Sequence, residues 1–174
     1  MACINEIKRY LKCALDKKRY THSVNAALLA VKLARRHKLK DVEKIELAAL
    51  LHDVEKDRGS GLTHSALSAA SARKKFGITD RRILDAIKYH TTGSKKMDDF
   101  AKVVYLADIA EPSRDFREAA VIRRIAFSDL DEAMIAALSA KMKYVLSDRK
   151  PLAAGGVALY NKLIKVRPQS KKHF

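Results

Sequence analysis

The 174-residue chain has no tryptophan and little cysteine (2), proline (3) or glycine (6). No apolar run approaches the roughly 18–20 residues that span a bilayer, so a transmembrane helix is not expected. The N-terminal residues lack the charged and then apolar layout of a signal peptide. Cys3 and Cys13 fall on one predicted helix about 15 Å apart, which is too far for a disulfide. We therefore expect a cytoplasmic chain with reduced thiols and no cysteine-based metal site.

The charge of the chain is strongly positive, with 36 Lys and Arg against 20 Asp and Glu and a formal net charge of +16. Such a surface attracts polyanions, whether nucleic acid, anionic lipid or a phosphate-rich small molecule. The basic residues are spread along the chain and do not form the cluster with interleaved aromatics that many nucleic-acid domains show. Two interpretations stay open: an ordinary solvated basic surface, and electrostatic steering of a phosphorylated ligand.

Apolar residues at three- and four-residue spacing run through most of the sequence, and no segment alternates like a strand. The pattern predicts an all-α fold, a single-domain helical bundle over residues 1–174 with a basic tail at 165–174. Predicted helices cover about 3–17, 21–37, 63–76 and 97–110; four more start after Asp41, after Thr79 or Asp80, at a Ser128–Asp131 capping box and after Pro151. Gly77 is the predicted C-cap of the helix over 63–76.

Four of the six histidines lie at or near predicted helix ends, where side chains from separate helices can converge: His22, His52, His64 and His90. Any one of them alone is more often a surface or capping residue. His52 is followed directly by Asp53 and comes after an apolar stretch over 48–51. A buried imidazole and carboxylate side by side are costly unless a positive charge compensates them.

Asp108 poses the same question, because it lies in the apolar stretch 103–110 of the most apolar predicted helix. A salt bridge to an arginine or lysine, or an N-cap to a neighbouring helix, would explain it without a metal. Mixed imidazole and carboxylate ligands suit iron, manganese, zinc, nickel or cobalt better than calcium. Five or six such ligands exceed what one tetrahedral ion needs, so a two-metal site that clamps a phosphoryl group is plausible chemistry.

The order His22, His52-Asp53, Asp108 resembles the H…HD…D signature of the HD phosphohydrolase superfamily. More narrowly, the chain resembles the YqeK-like branch, the symmetrical diadenosine-tetraphosphate hydrolases. The resemblance covers about residues 19–130, the predicted core of the HD domain. The matching stretches are Arg19–Ser23, Leu50–Asp57, Ala86–Gly93 and Tyr105–Phe116.

The resemblance implies a site with two divalent ions, iron in the family. One ion would be held by His22, His52, Asp53 and Asp108, and Asp53 would bridge to a second ion held by His64 and His90. It also implies symmetrical cleavage of dinucleoside tetraphosphates to two nucleoside diphosphates. The implied partners are therefore a metal and a nucleotide substrate, with a homodimer left open and neither membrane nor nucleic acid expected.

The resemblance further implies that Asp53 and Lys56 are catalytic and that Lys56 is the first phosphate contact. Arg19, Thr91 and Arg114 are additional candidates for binding substrate. For Lys56, Arg19 and Arg114, the alternative is an ordinary surface or salt-bridging role. Thr91 would either orient a phosphate or cap the turn after His90.

Two departures from the family pattern bear on the substrate. His64 comes only eleven positions after Asp53, where family members have a longer helical segment, and Lys150-Pro151 stands where the family has Ile-His-Pro. One rival prediction keeps the metals and changes the substrate to a nucleoside mono- or diphosphate or a signalling nucleotide. Another is a non-enzymatic basic module that binds nucleic acid.

Overall fold

The helical periodicity of the sequence appears as nine helices in the computed structural model, which describes residues 3–58 and 63–166. They are α1 Ile4–Ala14, α2 Lys17–Arg36, α3 Val42–Leu51, α4 Thr63–Phe76, α5 Arg81–Tyr89, α6 Asp99–Ala110, α7 Ala119–Ala126, α8 Leu130–Ser147 and α9 Ala154–Val166. The predicted all-α fold is confirmed. Across these two segments, no helix has both the length and the hydropathy to cross a membrane. Residues 167–174 of the predicted basic tail lie outside the described residues.

Aspartates cap four of the helices, as expected for a short side chain that accepts a bond from a free N–H. Their carboxylates accept from first-turn backbone N–H groups of α2, α5, α6 and α8: Asp16, Asp80, Asp98 and Asp129. The predicted Ser128–Asp131 capping box is wrong, because the Asp129 carboxylate bonds the backbone N–H groups of Asp131 and Glu132 at 2.8 and 3.0 Å.

Other helix boundaries differ from the prediction for local reasons. Because the Asp16 side chain caps α2, this helix begins at Lys17 and not at the predicted Thr21. His22 therefore lies in the second turn of the helix and not near its end. Asp41 precedes α3, but its backbone is left-handed (φ +60°) and its side chain makes no cap. The short helix α7 was not predicted. Gly77 ends α4 with φ +65°, as predicted.

Helix α6 lies at the centre of the fold, in contact with α2, α3, α5, α7 and α8. It buries Phe100, Tyr105 and Leu106 almost completely. Each such side chain contributes about 1.5–3 kcal/mol of transfer free energy, so the packing holds this helix firmly in place. Asp108 lies in the last turn of α6 and is therefore carried into the middle of the bundle.

Two glycines at the start of α9 let that helix approach the turn that follows α5. A Cβ atom added to Gly155 would lie 2.4 Å from the carbonyl oxygen of Gly93, and one added to Gly156 would lie 3.0 Å from that of Thr92. Both distances are shorter than normal carbon–oxygen contacts, so alanine would push the two segments apart. The glycines thus fix the position of the turn that carries Thr91.

Candidate metal centre

Five helices bring the predicted ligands to one place. His22 lies in α2, His52 directly follows α3, His64 lies in α4, His90 directly follows α5, and Asp108 lies in α6. Two groups of candidate ligand atoms result, and within each group all the atoms lie within 4.8 Å of one another. The first group comes from His22, His52, Asp53 and Asp108, and the second from Asp53, His64 and His90.

The first group is held together by short contacts between ring nitrogens and a carboxylate oxygen. The Nε2 atoms of His22 and His52 lie 3.1 Å apart. Asp108 Oδ1 is 3.1 Å from His22 Nε2 and 3.4 Å from His52 Nε2. Asp53 closes the group through its Oδ2 atom, 3.6 Å from His52 Nε2. Four candidate ligand atoms therefore surround one point.

The second group uses the other oxygen of Asp53. Asp53 Oδ1 lies 3.2 Å from His64 Nε2 and 3.1 Å from His90 Nε2, and the two Nε2 atoms are 3.3 Å apart. Each oxygen of one carboxylate thus faces a different group. This is the geometry expected of a carboxylate shared between two neighbouring cations.

The far side of three rings is already occupied by an acceptor, which fixes the proton on Nδ1. His52 Nδ1 donates to the carbonyl oxygen of Ala49 and His90 Nδ1 to that of Ile87, both at 2.7 Å. His22 Nδ1 donates to Glu111 Oε1 at 3.0 Å. A neutral imidazole protonated on Nδ1 carries a lone pair on Nε2, so each of these three rings directs a lone pair, and not a hydrogen, toward the centre.

These lone pairs are a direct test of whether the residues fit a metal. His22 Nε2, His52 Nε2 and Asp108 Oδ1 are all acceptors in this tautomer, yet they lie within 3.1–3.4 Å of one another. Acceptors at this distance repel unless a positive charge lies between them. The donor set of imidazole nitrogens and carboxylates fits a borderline divalent cation, so the site is a metal-binding site of that class.

The pKa values of the two carboxylates agree with a ligand role. Burial raises the pKa of Asp53, but His52, His64 and His90 outweigh burial and hold it well below its usual range. Burial likewise opposes ionisation of Asp108, while the close His22 and His52 rings lower its pKa. Both carboxylates are thus ionised, which is the form that binds metal.

The pKa values of the histidines show how much the site favours positive charge. Burial lowers the pKa of His90, which keeps this ring in its neutral, metal-binding form. Burial also acts against a charge on His52, yet the facing Asp53 and Asp108 carboxylates raise the pKa of His52. A fully buried imidazole that still attracts a proton lies where a cation is stabilised.

Asp108 does form the salt bridge that was the alternative to a metal role, but not in place of the ligand contacts. Arg114 Nη2 donates to Asp108 Oδ1 at 2.6 Å, and Arg114 Nε donates to the Asp108 carbonyl oxygen at 2.9 Å. The same Oδ1 atom still faces both His22 and His52. The salt bridge therefore brings a predicted substrate-binding cation to the rim of the first group.

Lys56 and Thr91 lie at the rim of the second group. Lys56 Nζ is 3.3 Å from Asp53 Oδ1 and 3.0 Å from His64 Nε2. Thr91 Oγ1 lies 3.0 Å from His64 Nε2 and 2.9 Å from His90 Nε2. Arg19 differs, since within the described segments it forms ion pairs with Asp16 and Asp57 and not with a predicted metal ligand.

Two residues that contact the candidate site were missed by the sequence analysis. Glu111 is 1% exposed and, besides holding His22, accepts from the backbone N–H of Ser113 at 2.7 Å and from the Ser113 hydroxyl. Lys141 Nζ donates to the carbonyl oxygen of Thr91 at 2.5 Å, and burial lowers its pKa. An acidic residue directly after a buried helix could have signalled Glu111. A lysine on a long helix gives no such signal for Lys141.

A cavity of about 460 Å³ opens onto both groups of ligands, and we call it the metal-side cavity. Cations on its walls would meet an anionic ligand as it approaches the metal centre. It is lined by His90 and Asp108 from the ligand set, by Lys56, Arg114 and Lys141, and by Tyr144 at its exposed edge.

Comparison with known proteins agrees with this geometry. Residues 19–113 match the HD domain family. Proteins named symmetrical bis(5'-nucleosyl)-tetraphosphatase align over nearly their full length: the one from Bacillus subtilis is 31% identical, covering 88% of this chain and 94% of the relative, and the one from Staphylococcus aureus is 33% identical, covering 92% and 91%.

A solved structure shows the same architecture. The crystal structure of an HD superfamily hydrolase from Clostridium acetobutylicum, described as involved in NAD metabolism, superposes with a TM-score of 0.87 at 29% identity, over 96% of this chain and 100% of that one. The predicted fold class and resemblance are confirmed. The chain therefore belongs to the HD-domain family, and within it to the relatives named symmetrical bis(5'-nucleosyl)-tetraphosphatases.

Proposed function

We propose that this protein is a divalent-metal-dependent phosphohydrolase that cleaves dinucleoside tetraphosphates symmetrically into two nucleoside diphosphates. The observation that carries the proposal is the pair of ligand groups that share the Asp53 carboxylate. The names of the relatives that align over nearly their full length supply the substrate class. The basic lining of the metal-side cavity supports a polyphosphate over a neutral substrate.

The proposed metal ligands are divided between the two groups. His22, His52, Asp53 and Asp108 would hold one ion, and Asp53, His64 and His90 the other. Bound divalent ions would supply activated water and neutralise the charge of the phosphoryl group. We propose iron as the physiological metal; manganese, zinc, nickel and cobalt suit the same ligands.

The remaining residues of the site would bind and orient the polyphosphate. Lys56 Nζ lies within 3.3 Å of Asp53 and can neutralise a phosphate that enters beside this ligand. Arg114 is oriented by the Asp108 carbonyl, so its guanidinium faces the site in a fixed direction. The Thr91 hydroxyl would donate to a phosphate oxygen, and Lys141 holds the Thr91 backbone in place. We propose Arg19, paired with Asp57 beside Lys56, as an outer phosphate contact.

A nucleotide panel with product analysis tests the proposed reaction. Metal-loaded protein should convert diadenosine tetraphosphate to ADP as the sole nucleotide product, and His52→Ala should lose both metal and activity. Formation of AMP plus ATP would contradict symmetrical cleavage. No turnover of dinucleoside tetraphosphates beside rapid hydrolysis of another nucleotide would contradict the substrate class.

We also propose a reducing, cytoplasmic setting, which the two free and exposed cysteines support. Thiol titration of the protein from freshly lysed cells under alkylating conditions should find both Cys3 and Cys13 reduced. The homodimer stays a prediction, which light scattering of the purified chain would check.

A further inference from the structure

A second cavity adjoins the metal-side cavity and has no role in the mechanism above. Its volume is about 330 Å³, and we call it the α8–α9 cavity. The walls come from α8 and from the segment that leads into α9: Leu138, Met142, Val145, Lys150, Pro151 and Leu152. Thr91, Tyr105 and Lys141 line both cavities, so the two spaces meet at these residues.

The two cavities differ in chemistry. The metal-side cavity carries two metal ligands and the cations Lys56 and Arg114. Among the residues that the structure describes, none of those lining the α8–α9 cavity is a carboxylate or a predicted metal ligand, and its apolar side chains outnumber its two lysines, Lys141 and Lys150. Mostly apolar walls with a few polar groups are typical of sites for flat organic ligands. The first space therefore suits phosphates, and the second suits an aromatic ring.

Tyr105 provides an independent sign that something polar enters this region. Its ring is 1% exposed, and its hydroxyl has no hydrogen-bond partner among the described residues. A buried hydroxyl without a partner is costly, at about 1–3 kcal/mol, so a group that bonds it is expected. Because Tyr105 lines both cavities, a ligand that passes from one to the other would meet this hydroxyl.

Lys141 marks the boundary between the two cavities. Its Nζ atom bonds the Thr91 carbonyl oxygen and lies 5.5 Å from the centre of the Tyr105 ring. A cation at this position can contact the phosphate chain where it leaves the metal centre. Lys141 and Tyr105 are thus shared by a cavity that carries predicted metal ligands and a cavity with mostly apolar walls.

We propose that the α8–α9 cavity receives one of the two nucleosides of the substrate, so that the tetraphosphate extends from it past Lys141 to the metal centre. This inference rests on the proposed function, since only a substrate with two nucleosides needs two receptors. The volume of the cavity lies at the lower end of the range for small-molecule sites, which suits one nucleoside. The other nucleoside would lie in the metal-side cavity, near Tyr144.

A substitution that fills the α8–α9 cavity tests the proposal when its effect is measured on two substrates. Val145→Trp would occupy the α8–α9 cavity, while Leu146→Trp places the same side chain at a neighbouring position that is 59% exposed and lines neither cavity. The substrates are diadenosine tetraphosphate and adenosine 5'-tetraphosphate, which have equal phosphate chains but two nucleosides and one. Metal content and melting temperature of each variant are measured in parallel.

Val145→Trp should raise KM for the dinucleoside roughly tenfold or more and leave KM for the mononucleoside within about twofold, because only one receptor is lost. Leu146→Trp should match the wild type with both substrates. Equal losses with both substrates, or no loss with either, would overturn the inference while leaving the proposed function intact. A wild type that turns over no dinucleoside tetraphosphate would overturn both.

A fluorescence measurement covers the case in which Val145→Trp does not fold. The chain has no tryptophan, so Leu152→Trp introduces a single fluorophore in the loop before α9, at the wall of the cavity. A dinucleoside tetraphosphate with methylene bridges, which resists hydrolysis, should quench this fluorescence but not that of Leu146→Trp. Equal quenching of the two variants, or none of Leu152→Trp, would overturn the inference.

Discussion

Replacement of Glu111 by glutamine changes one atom in a buried side chain that touches no predicted metal position. The carboxylate accepts hydrogen bonds from His22 Nδ1 and from the backbone and hydroxyl of Ser113. Burial raises the pKa of Glu111, but the hydrogen bonds from Ser113 and His22 lower it by more than burial raises it. Glu111 is therefore ionised. A carboxylate can accept all of these bonds, whereas an amide has one accepting atom and one donating atom.

Either orientation of the glutamine leaves two donors facing each other. If its oxygen stays toward His22, the amide NH2 meets the backbone N–H of Ser113. If its NH2 faces His22, the imidazole must move its proton to Nε2, which removes the lone pair from the centre. A buried unsatisfied donor costs about 1–3 kcal/mol. Loss of such a partner behind a metal ligand typically weakens metal affinity about 10–100-fold, which is the effect we expect.

Competition against a chromophoric chelator measures this change. Glu111→Gln should bind metal about 10–100-fold more weakly than the wild type, with the helical circular dichroism unchanged. Glu118→Gln is the matched control, since Glu118 is an exposed residue on the wall of the same cavity with no contact to a ligand histidine. Unchanged metal affinity in Glu111→Gln, or an equal loss in Glu118→Gln, would refute the role of Glu111 in orienting His22.

Three further substitutions test other parts of the structure. Lys56→Ala should lower kcat/KM by at least about tenfold while metal content stays intact, because a phosphate contact is lost and no ligand; unchanged kinetics would contradict its role. Gly155→Ala should lower the free energy of unfolding by about 1–3 kcal/mol and Gly156→Ala by less, because the added methyl meets a backbone oxygen at 2.4 Å in the first and at 3.0 Å in the second; the reverse order in denaturant melts would contradict the packing. Asp80→Ala should cost about 1–2 kcal/mol, whereas Asp80→Asn keeps the helix cap and should cost less. The pKa of Asp80 is lowered, mainly by a hydrogen bond from a lysine of α3. The ionised Asp80 therefore stabilises the fold above the ordinary aspartate pKa, and this stabilisation is lost as the pH falls through the pKa of the folded state. Melts with the same pH dependence in wild type and Asp80→Asn would contradict this.

The candidate ligands could be predicted from the sequence because their order along the chain carries the information. His52-Asp53 after an apolar stretch, and Asp108 inside an apolar helix, are residues that burial alone would exclude. Each needed a compensating charge, and their order matched one superfamily. The structure brings these predicted ligands together, with His52 fully buried and Asp53 shared between the two groups.

What supports the ligands was not predictable, because it depends on contacts between distant segments. Glu111 becomes important only when the end of α6 meets α2, 89 residues away in sequence. Lys141 lies 50 residues from the turn whose carbonyl it bonds. The aspartate cap at Asp129 was missed because Ser128 offered a competing local pattern.

The predicted substrate-binding residues differ in how well the sequence placed them. Lys56 and Arg114 were predicted from short stretches near the ligands, and the structure brings both within reach of Asp53 or Asp108. Arg19 came from the same kind of stretch but is paired with Asp16 and Asp57. The α8–α9 cavity arises where a helix meets a turn through paired glycines, and glycines at the start of a helix do not reveal which segment they approach.

The metal content of anaerobically purified protein tests the central claim most directly. Wild-type protein should hold about two divalent ions per chain, His64→Ala about one, and Asp53→Ala fewer than either, because Asp53 serves both groups. Measurement by inductively coupled plasma mass spectrometry would also name the metal. A wild type that takes up no metal, or an Asp53→Ala variant that holds as much as the wild type, would contradict the account.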